Sequence, residues 1–501
     1  MKRRSHLIGI GGSGMSGAAQ VLLERGFSVS GSDQNDSAEL ARLRDAGALI
    51  FRGHAAEHVE RLREGADAHA SSTAHAHPTE PGDPPLIVPP LIVRSLAVPE
   101  SNPECVAARA AGWPVLSYAE LLGRWSRERL AISIAGTHGK TTTTSMTVAL
   151  LDAAGVEPGF VIGGRARIGP GAPRAACWGA REAPFVLESC EYGGSFHHLR
   201  PRIAAVTNVE ADHLDYYGDF DGVRRAFRRF VAGEPDAAPP RTVLTVQAAE
   251  ALGILPREVA RWVADGPGLN LLPRDLDPAI VVRAESVEVC EGTPRFVPVL
   301  GERRLRAVHL GVPGRHNVTN ALVAIAAVAE AGFDPALGLA GLEAFRGAER
   351  RFQILCDTPE HAVVDDYAHH PTEIEATLEA ARQRFPDRSL AVIYQPHQAS
   401  RTREHLSDFG RVLARADDCL MTEIYYTRDR DEDRRDVSSL QVAQEIERCG
   451  GRAGFAAGLD EALPRALDLY RDKIVYLVMG AGDVFRVAEG LVRELSERRR
   501  S

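Results

Sequence analysis

Short apolar runs alternate with amphipathic segments along most of the chain, a pattern typical of parallel sheets covered by helices. The run "HLIGI" precedes the helical segment "MSGAAQVLLERG", and a second run, "FSVSGSD", follows. The same order recurs at "RLAISIAGTHGKTTTTSMTVALLDAAG", and strands are predicted in the last third at "HAVVDDY", "SLAVIYQPH", "DCLMTEIY" and "KIVYLVMGAG". The pattern predicts an α/β protein of about three units, the first of them a doubly wound parallel sheet.

Two stretches interrupt this alternation. Residues 70–92 are rich in proline, histidine and small residues, and the prolines exclude a central strand or a regular helix. Residues 234–280 are rich in proline and weakly periodic, whereas short alternating runs after residue 279 predict an antiparallel sheet edge. A loop does not fix the geometry of metal ligands, so the first stretch is a poor metal site despite its histidines. These histidines are His69, His75 and His77.

The composition of the 501 residues excludes several classes of protein. A net charge of −9 argues against nucleic-acid binding, and the seven cysteines are scattered without C-x-x-C spacing, which disfavours disulfides and structural zinc. The sequence contains no apolar run of 18 residues, and its first residues lack the features of a signal peptide. We therefore expect a cytoplasmic monomer or homodimer that contacts neither membranes nor nucleic acid.

A glycine-rich turn follows the first predicted strand. Gly9, Gly11 and Gly14 match G-x-G-x-x-G, and Asp33 follows at the distance where dinucleotide-binding folds place a ribose-binding acid. Such glycines let the backbone approach a pyrophosphate at a helix N-terminus. They do not specify which pyrophosphate, so an NAD-binding site and a merely tight turn remain alternatives.

A second glycine turn, "AGTHGKTTTT", carries a stronger signal. It joins a strand to a helix, and it contains Lys140, one of only three lysines among the 59 lysines and arginines. In such a loop, backbone N–H groups surround phosphate oxygens, the lysine reaches the terminal phosphates and the next hydroxyl binds Mg²⁺. The turn departs from the usual P-loop pattern in having Ile134 at the first glycine position. The predicted phosphate contacts are Gly136, Thr137, His138, Gly139, Lys140, Thr141 and Thr142.

Acidic residues and a histidine follow the next two predicted strands. Glu188 ends "PFVLE", and "RIAAVTNV" is followed by Glu210, Asp212, His213 and Asp215. The carboxyl ends of parallel strands converge on the crevice where open α/β sheets bind ligands. Carboxylates and neutral imidazoles can complete a metal shell, so these residues are candidate ligands for a nucleotide-bound metal.

Further polar groups cluster in the last third of the chain. Asn317 and Asn320 share one face of a predicted helix, and "RRFQ" contains Arg350 and Arg351. So many titratable groups at the ends of two predicted strands indicate a second part of a site. These groups are Asp365, Asp366, Tyr367, His369 and His370 after the first strand, and His397 and Arg401 after the second.

Seven motifs in one order resemble the Mur ligases: "IGIGGSGMSG", "AGTHGKTTTT", "TNVEADHLD", "PGRHNVTNA", "RRFQ", "DDYAHHPTE" and "PHQASRTR". The resemblance covers nearly the whole chain apart from 70–92 and 234–280. It implies an N-terminal Rossmann-like domain for a UDP sugar over 1–125, which contains the proline-rich insertion. A central P-loop ATPase domain over 126–311 and a C-terminal Rossmann-like domain for the amino acid over 312–501 would follow.

The resemblance also implies a reaction and its participants. ATP would phosphorylate the carboxylate of UDP-N-acetylmuramate, and L-alanine would attack the acyl phosphate. Lys140 would stabilise the transferring phosphoryl group, Thr141 and Glu188 would bind Mg²⁺, and His213 would bind a second Mg²⁺. The remaining roles fall to three groups. Asn317, Asn320, Arg351 and Asp366 would contact the nucleotide; Tyr367, His370, His397 and Arg401 would surround the amino acid, with His370 catalytic; Gly11, Gly12, Ser13, Gly14, Met15 and Asp33 would bind the UDP sugar.

The sequence departs from the family pattern at a few positions. Cys190 and Gly193 replace acidic residues near the expected second metal, and Gln398 and Ala399 replace an arginine and an aromatic residue near the amino acid. No lysine lies between Lys140 and Lys473, which excludes the carbamylated lysine of several sister ligases. Alternatives are the related recycling ligase that attaches a tripeptide, a non-catalytic UDP-sugar or nucleotide-binding protein, and an NAD-dependent oxidoreductase.

Overall fold

The computed structural model describes residues 3–62, 89–169, 171–235, 237–255, 258, 260–264, 277–427, 429 and 433–498. Its strands form three separate sheets, so the α/β class and the three units predicted from the sequence are confirmed. His69, His75 and His77 lie outside the described residues, as does most of the 70–92 stretch. The prediction that this stretch contains no central strand is wrong at its end, because Leu91–Arg94 form a strand that pairs with Arg4–Ile8 inside the first sheet. The prolines do not prevent it, since the last of them, Pro90, precedes the strand. None of the helices in the described ranges is long and apolar enough to cross a membrane.

The first sheet has five parallel strands in the order β3-β2-β1-β4-β5, with the crossover that defines a Rossmann-like fold. A capping box between Ser117 and Glu120 begins the helix that leads to the second sheet. The strands are β1 (Arg4–Ile8), β2 (Ser28–Asp33), β3 (Leu49–Arg52), β4 (Leu91–Arg94) and β5 (Val115–Ser117). The helices are α1 (Ser13–Glu24), α2 (Ala38–Asp45), α3 (Pro103–Ala110) and α4 (Tyr118–Glu128).

The second sheet is the largest, with the order β15-β14-β13-β12-β11-β10-β6-β9-β7-β8 and β16 paired to β14. Its central strands are parallel, and β13 to β16 form the antiparallel edge predicted for the region after residue 279. The strands are β6 (Ala131–Ala135), β7 (Gly159–Ala166), β8 (Arg174–Cys177), β9 (Phe185–Glu188), β10 (Ile203–Val206), β11 (Arg241–Thr245), β12 (Arg261–Ala264), β13 (Val281–Cys290), β14 (Thr293–Leu300), β15 (Arg303–Arg304) and β16 (Val308–His309). The helices are α5 (Lys140–Ala153), α6 (Leu214–Tyr217), α7 (Phe220–Ala232), α8 (Val246–Leu252), α9 (His316–Glu330) and α10 (Leu339–Ala344), with 3₁₀ turns at Tyr192–His198, Pro278–Ile280 and Pro335–Gly338.

Helix α9 packs on the second sheet, beside α5. Its sequence, "HNVTNALVAIAAVAE", is apolar on nearly every face, and most of it is buried in the same core as β6, β10 and β11. The sequence predicted this helix but assigned it to the third unit. The boundary at 311/312 stays a prediction, and this packing favours a later one.

The third sheet has six strands in the order β17-β18-β22-β19-β20-β21, all parallel except the β17–β18 pair. It contains the four strands that the apolar runs of the last third predicted. The strands are β17 (Gln353–Asp357), β18 (His361–Asp366), β19 (Ser389–Tyr394), β20 (Asp418–Thr422), β21 (Ala453–Ala456) and β22 (Ile474–Met479). The helices are α11 (Pro371–Arg384), α12 (Ala399–Glu404), α13 (Leu406–Leu413), α14 (Asp433–Asp436), α15 (Ser439–Arg448), α16 (Leu459–Asp468) and α17 (Phe485–Arg498).

Candidate active site between the three sheets

The second glycine turn joins β6 to α5 and has no room for side chains at two positions. Gly136 has φ of 140°, and a Cβ there would lie 2.0 Å from Thr207 Oγ1. Gly139 has φ of 78°, and a Cβ there would lie 2.6 Å from the Asn320 side-chain oxygen on α9. Glycine is therefore required both by backbone conformation and by close packing.

The Lys140 ammonium lies inside this turn. It donates to the carbonyl oxygens of Gly136 (2.6 Å) and Thr137 (3.0 Å), and it lies 2.9 Å from a carboxylate oxygen of Glu191. Burial disfavours the charged ammonium, but Glu191 outweighs it and the pKa of Lys140 is raised. The lysine is therefore charged and paired with an internal carboxylate.

Thr141 and Glu188 lie side by side, as two metal ligands would. The Thr141 hydroxyl donates to Glu188 Oε1 (2.9 Å), and the Gly163 amide donates to Glu188 Oε2 (2.6 Å). The hydroxyl in the first turn of α5 and the carboxylate at the end of β9 are the hard oxygen donors that Mg²⁺ prefers. This pair fits the predicted magnesium site.

His213 lies at the start of α6, near Lys140 and Glu191. Its backbone is left-handed, with φ of 55°, and burial lowers its pKa to about 4, so the imidazole is neutral. Among the described residues, its buried Nδ1 has no hydrogen-bond partner, while Nε2 lies 3.7 Å from Glu191. A neutral, partly unsatisfied imidazole beside a carboxylate fits a metal ligand.

His138 joins the second unit to the third. Its Nδ1 lies 3.1 Å from Glu373 on α11, and its Nε2 lies 3.5 Å from Glu210. Burial disfavours the charged ring, yet the two carboxylates raise the pKa of His138 to about 9. The imidazolium therefore connects the phosphate loop to a helix of the third unit, and Thr372 strengthens this connection by donating to Glu210 (2.8 Å).

The predicted nucleotide contacts surround a cavity of about 540 Å³ between the second and third units. Asn320 donates to Asn317 (2.9 Å) on their shared helix face, while Asp366 accepts from the Phe352 and Ala368 amides (2.7 Å each). Burial raises the pKa of Asp366 to about 6. The predicted residues that line this cavity are His138, Gly139, Thr142, Asn317, Asn320, Arg351 and Asp366.

A second cavity, of about 440 Å³, lies where all three units meet. Ser13 from the first unit lines it opposite residues of the second and third. The predicted residues that line it with Ser13 are Thr137, His138, Gly139, Lys140, Thr141, Glu188, His213, Arg351, Tyr367, His397 and Arg401, together with Cys190 and Gln398. The two cavities share part of the phosphate loop, so a nucleotide in the first would direct its phosphates into the second.

Arg401, predicted near the amino acid, forms a buried ion pair between two units. Its guanidinium lies 2.8 Å from Asp212 Oδ1 and 3.2 Å from His397 Nδ1. Although burial opposes ionisation, Arg401 holds the pKa of Asp212 far below its usual range. Asp212 directly precedes His213, so the third unit fixes the turn that carries the candidate metal ligand.

His370 lies beside the second cavity rather than on its wall. It caps α11, with its ring 4.8 Å from that of His138, and burial lowers its pKa to about 4. His138, Glu210 and His370 offer ligand atoms within 4.8 Å of one another. Tyr367 and His397 do line the cavity, and His397 stacks on Tyr425 at 5.8 Å.

The first glycine loop lies at the N-terminus of α1. A Cβ on Gly14 would lie 2.8 Å from the Tyr118 ring, whereas one on Gly12 would have only ordinary contacts, at 3.6 Å or more. Asp33 accepts from the Gly11 amide (2.9 Å), so it holds the loop itself. Met15 is buried in the core, which leaves only its backbone for a ligand.

Sequence reasoning missed two acidic residues of the site. Glu191 stands in "ESCEYGG", where attention fell on the neighbouring Cys190 and Gly193, and its spacing of three from Glu188 was the available signal. Glu373 lies in an ordinary helix first turn, where an acid favours the helix dipole, so no local signal distinguished it.

Comparison with family models assigns nearly the whole chain. Residues 4–129 match the model described as Mur ligase family, catalytic domain; residues 134–328 match Mur ligase middle domain; residues 350–482 match Mur ligase, glutamate ligase domain. The three matched segments correspond to the three sheets.

Similar proteins extend over the same length. The chain is 39% identical to the UDP-N-acetylmuramate–L-alanine ligase of Halorhodospira halophila, over 96% of this chain and 91% of that protein. It is also 39% identical to the enzyme of that name from Nitratidesulfovibrio vulgaris, over 98% of both chains. Among solved structures, the UDP-N-acetylmuramate-alanine ligase MurC of Thermotoga maritima superposes with a TM-score of 0.75 at 26% identity, covering 99% of this chain and 100% of that one.

Proposed function

Since the chain belongs to the Mur ligase family, we propose that it joins L-alanine to the carboxylate of UDP-N-acetylmuramate at the expense of ATP, in peptidoglycan precursor synthesis. The observation that carries the proposal is the cavity at the meeting point of the three units. It brings the Lys140 ammonium, the Glu188 carboxylate and the Ser13 loop of the first unit to one space. A three-substrate reaction needs such a meeting point.

The first step is transfer of the ATP γ-phosphoryl group to the muramate carboxylate, which gives an acyl phosphate and ADP. Lys140 neutralises charge on the transferring group after exchanging Glu191 for phosphate oxygens. Thr141 and Glu188 would hold one Mg²⁺, and His213 would hold a second. Bound Mg²⁺ supplies charge neutralisation on the phosphate oxygens. Asn317, Asn320, Arg351 and Asp366 bind the nucleotide.

The second step is attack of the L-alanine amine on the acyl phosphate, which forms the amide and releases phosphate. Tyr367, His397 and Arg401 hold the amino acid at the cavity wall. His370 lies behind the cavity wall, at the N-terminus of α11. Burial keeps its imidazole neutral, and its Nε2 has no hydrogen-bond partner among the described residues. A neutral imidazole in this place can accept, through one water, the proton that the amine loses as the bond forms.

The UDP part of the substrate binds at the first glycine loop. Ser13 and Gly14 present backbone amides at the N-terminus of α1, which favours an anion. Gly11 and Gly12 donate their own amides to Asp33 and to the Gly9 carbonyl, and they contribute a turn without side chains that the pyrophosphate can approach. Met15 contributes its backbone, and Asp33 keeps the loop in place. The proposal therefore assigns this loop a UDP pyrophosphate instead of NAD.

Phosphate release tests the proposal. The protein is incubated with Mg-ATP and UDP-N-acetylmuramate, together with L-alanine, glycine, L-serine or the tripeptide of the recycling reaction in separate reactions. We expect release with L-alanine to exceed that with the other acceptors, and none with Lys140→Ala. Phosphate release with the tripeptide but with none of the amino acids would assign the recycling activity. No release with any of the acceptors would contradict a ligase.

A further inference from the structure

A basic cleft lies at the amino ends of β6, β10 and β11 in the second sheet, opposite the end that carries the phosphate loop. It has a volume of about 400 Å³, and we call it the arginine cleft. Arg202 donates its backbone amide to Ala131 at the start of β6, while Lys140 follows the other end of that strand. Five strand residues separate the two places by roughly 15 Å. The titratable groups that line the cleft are Arg127, Arg129, Arg200, Arg202, Arg229, His197 and Glu234.

The positive charge of the arginine cleft is mostly unpaired. Arg200 lies 2.8 Å from Glu234, which is the one ion pair among the lining groups in the described part of the chain. Arg129 donates through all three of its nitrogens to backbone carbonyls, among them those of Ala183 and Ala180, so its fork is already occupied. Arg127 donates to the Gly123 carbonyl, which carries no charge. The described residues that line the cleft include five arginines and one carboxylate, in a protein whose net charge is −9.

The field of these arginines acts on the histidine in the cleft. Burial, together with Arg229, His198 and Arg200, lowers the pKa of His197 to about 4. The neutral imidazole can donate or accept a hydrogen bond. The floor is apolar, because Phe196, Leu199 and Phe230 lie beneath the charged rim.

We propose that the arginine cleft binds a small multivalent oxyanion of the diphosphate class. Guanidinium groups bind phosphate oxygens in pairs through their forked N–H donors, and several such groups in one cleft favour an anion with more than one charge. Arg127, Arg202 and Arg229 are the lining arginines that have no ion-pair partner among the described residues and are not held by several carbonyls. A cleft of this size holds a diphosphate with room for an attached group on the apolar floor.

The arginine cleft is connected to the active site through one short segment. The 3₁₀ turn Tyr192–His198 begins directly after Glu191, the partner of Lys140, and ends beside the cleft. Gly193 and Gly194 in this turn have φ of 64° and 66°, a conformation that glycine adopts readily. An anion bound at His197 therefore lies at the end of the segment that positions Glu191.

Calorimetric titration with inorganic pyrophosphate, without Mg²⁺, tests the proposal. Lys140→Ala removes the phosphate-loop cation, and we expect a binding event that survives in this variant. The double variant Arg202→Gln/Arg229→Gln, added to Lys140→Ala, should weaken that event by roughly tenfold or more for each guanidinium lost. Arg448→Gln/Arg493→Gln, which removes the same charge elsewhere on the surface, should leave it unchanged.

Two outcomes would overturn the proposal. Loss of all pyrophosphate binding in Lys140→Ala would show that the arginine cleft binds no pyrophosphate. Equal weakening by the cleft and control double variants would show that general charge, not the cleft, attracts the anion. Circular dichroism of each variant verifies folding, and the cleft variant in the otherwise natural chain should keep its ligase activity.

Discussion

The two glycine loops of this protein share a backbone design and differ in everything around it. Both follow a strand and begin a helix, so both present amides and a helix N-terminus to an anion. The first, at Gly11 to Gly14, is held within its own unit by Asp33. The second, at Gly136 to Lys140, contacts Asn320 on α9 and Glu373 of the third unit. On the proposed function, the first loop only binds a substrate, and residues of its own unit hold it in place. The second loop also takes part in the reaction, and residues of neighbouring elements and of the third unit hold it in place.

The cation distinguishes the two loops most directly. The first has no lysine, and the second has Lys140. We expect Lys140→Ala to lower kcat by about a thousandfold, because a charge that stabilises the transition state is lost. The dissociation constant for UDP-N-acetylmuramate should stay within a factor of about two, since the first loop is intact.

Steady-state kinetics and calorimetry measure the two quantities, and Lys473→Arg serves as the control. Lys140→Arg should fail nearly as badly as alanine, because the planar guanidinium does not fit among the Gly136 and Thr137 carbonyls. A fully active arginine variant would contradict the role given to the compact ammonium.

The contact between units gives the second loop a pH dependence that the first lacks. The pKa of His138 rises from 6.5 to about 9 on folding, which corresponds to about 3 kcal/mol of stability. Because the folded pKa is the higher one, this contribution is complete below pH 6.5 and is lost as the pH rises through about 9. In Glu373→Gln, the free energy of unfolding should therefore decrease much less between pH 6.5 and pH 9.

Urea unfolding of the nucleotide-free protein at intervals from pH 6 to 9.5 measures the effect. The control is Glu375→Gln, on the same helix but paired with Arg415 near the surface, and it should keep the natural pH profile. Parallel profiles for the natural protein and Glu373→Gln would rule out the His138–Glu373 contact as its source.

Backbone approach to a ligand can be tested separately in the first loop. Gly12 has φ of −62° and ψ of 144°, which alanine adopts freely, and an added Cβ meets no protein atom closer than 3.6 Å. Gly12→Ala should therefore fold normally but raise KM for UDP-N-acetylmuramate about tenfold by holding the pyrophosphate away, a loss of about 1.4 kcal/mol. kcat and KM for ATP should not change.

Gly458→Ala is the matched control, since no atom lies within 4 Å of the added Cβ. Thermal melting shows whether either variant is destabilised. An unchanged KM for the UDP sugar in Gly12→Ala would show that the first loop is only a tight turn and does not bind the pyrophosphate.

The smallest effect is expected at Asp33. Its Oδ2 accepts from Gly11 and its Oδ1 accepts from Asn35, at 3.2 Å, so the side chain supports the loop. Asp33→Asn keeps one of these bonds and should raise KM for UDP-N-acetylmuramate about threefold, as expected for one ordinary hydrogen bond. A rise of a hundredfold would instead indicate direct contact with the ribose.

Much of this architecture could be predicted from the sequence. Apolar periodicity identified strands in each of the three sheets and the antiparallel edge, but not β4, β11 or β12, which lie in or beside the proline-rich stretches. The glycine turns identified both strand-to-helix loops. Thr141, Glu188 and His213 were predicted together because ligands at the ends of neighbouring parallel strands converge. The structure places all three around one cavity.

What the sequence could not predict were pairings between distant elements. The apolar faces of α9 show that it is buried, but not against which sheet. Arg401 and Glu373 have partners, Asp212 and His138, that are far away in the sequence, and no local pattern relates them. These contacts depend on how the units pack together, which the hydrophobic pattern of a single element does not determine.

The Lys140–Glu191 pair affects how strongly the affinity for ATP depends on salt. In many phosphate sites a lysine attracts mobile ions, and their release on binding makes the affinity decrease steeply with ionic strength. Here the counter-ion is a carboxylate of the chain, 2.9 Å from the ammonium and only 4% exposed. ATP exchanges with this fixed anion and releases no mobile one from the lysine. With ATP bound as proposed, the lysine therefore contributes little to the salt dependence of the affinity for ATP.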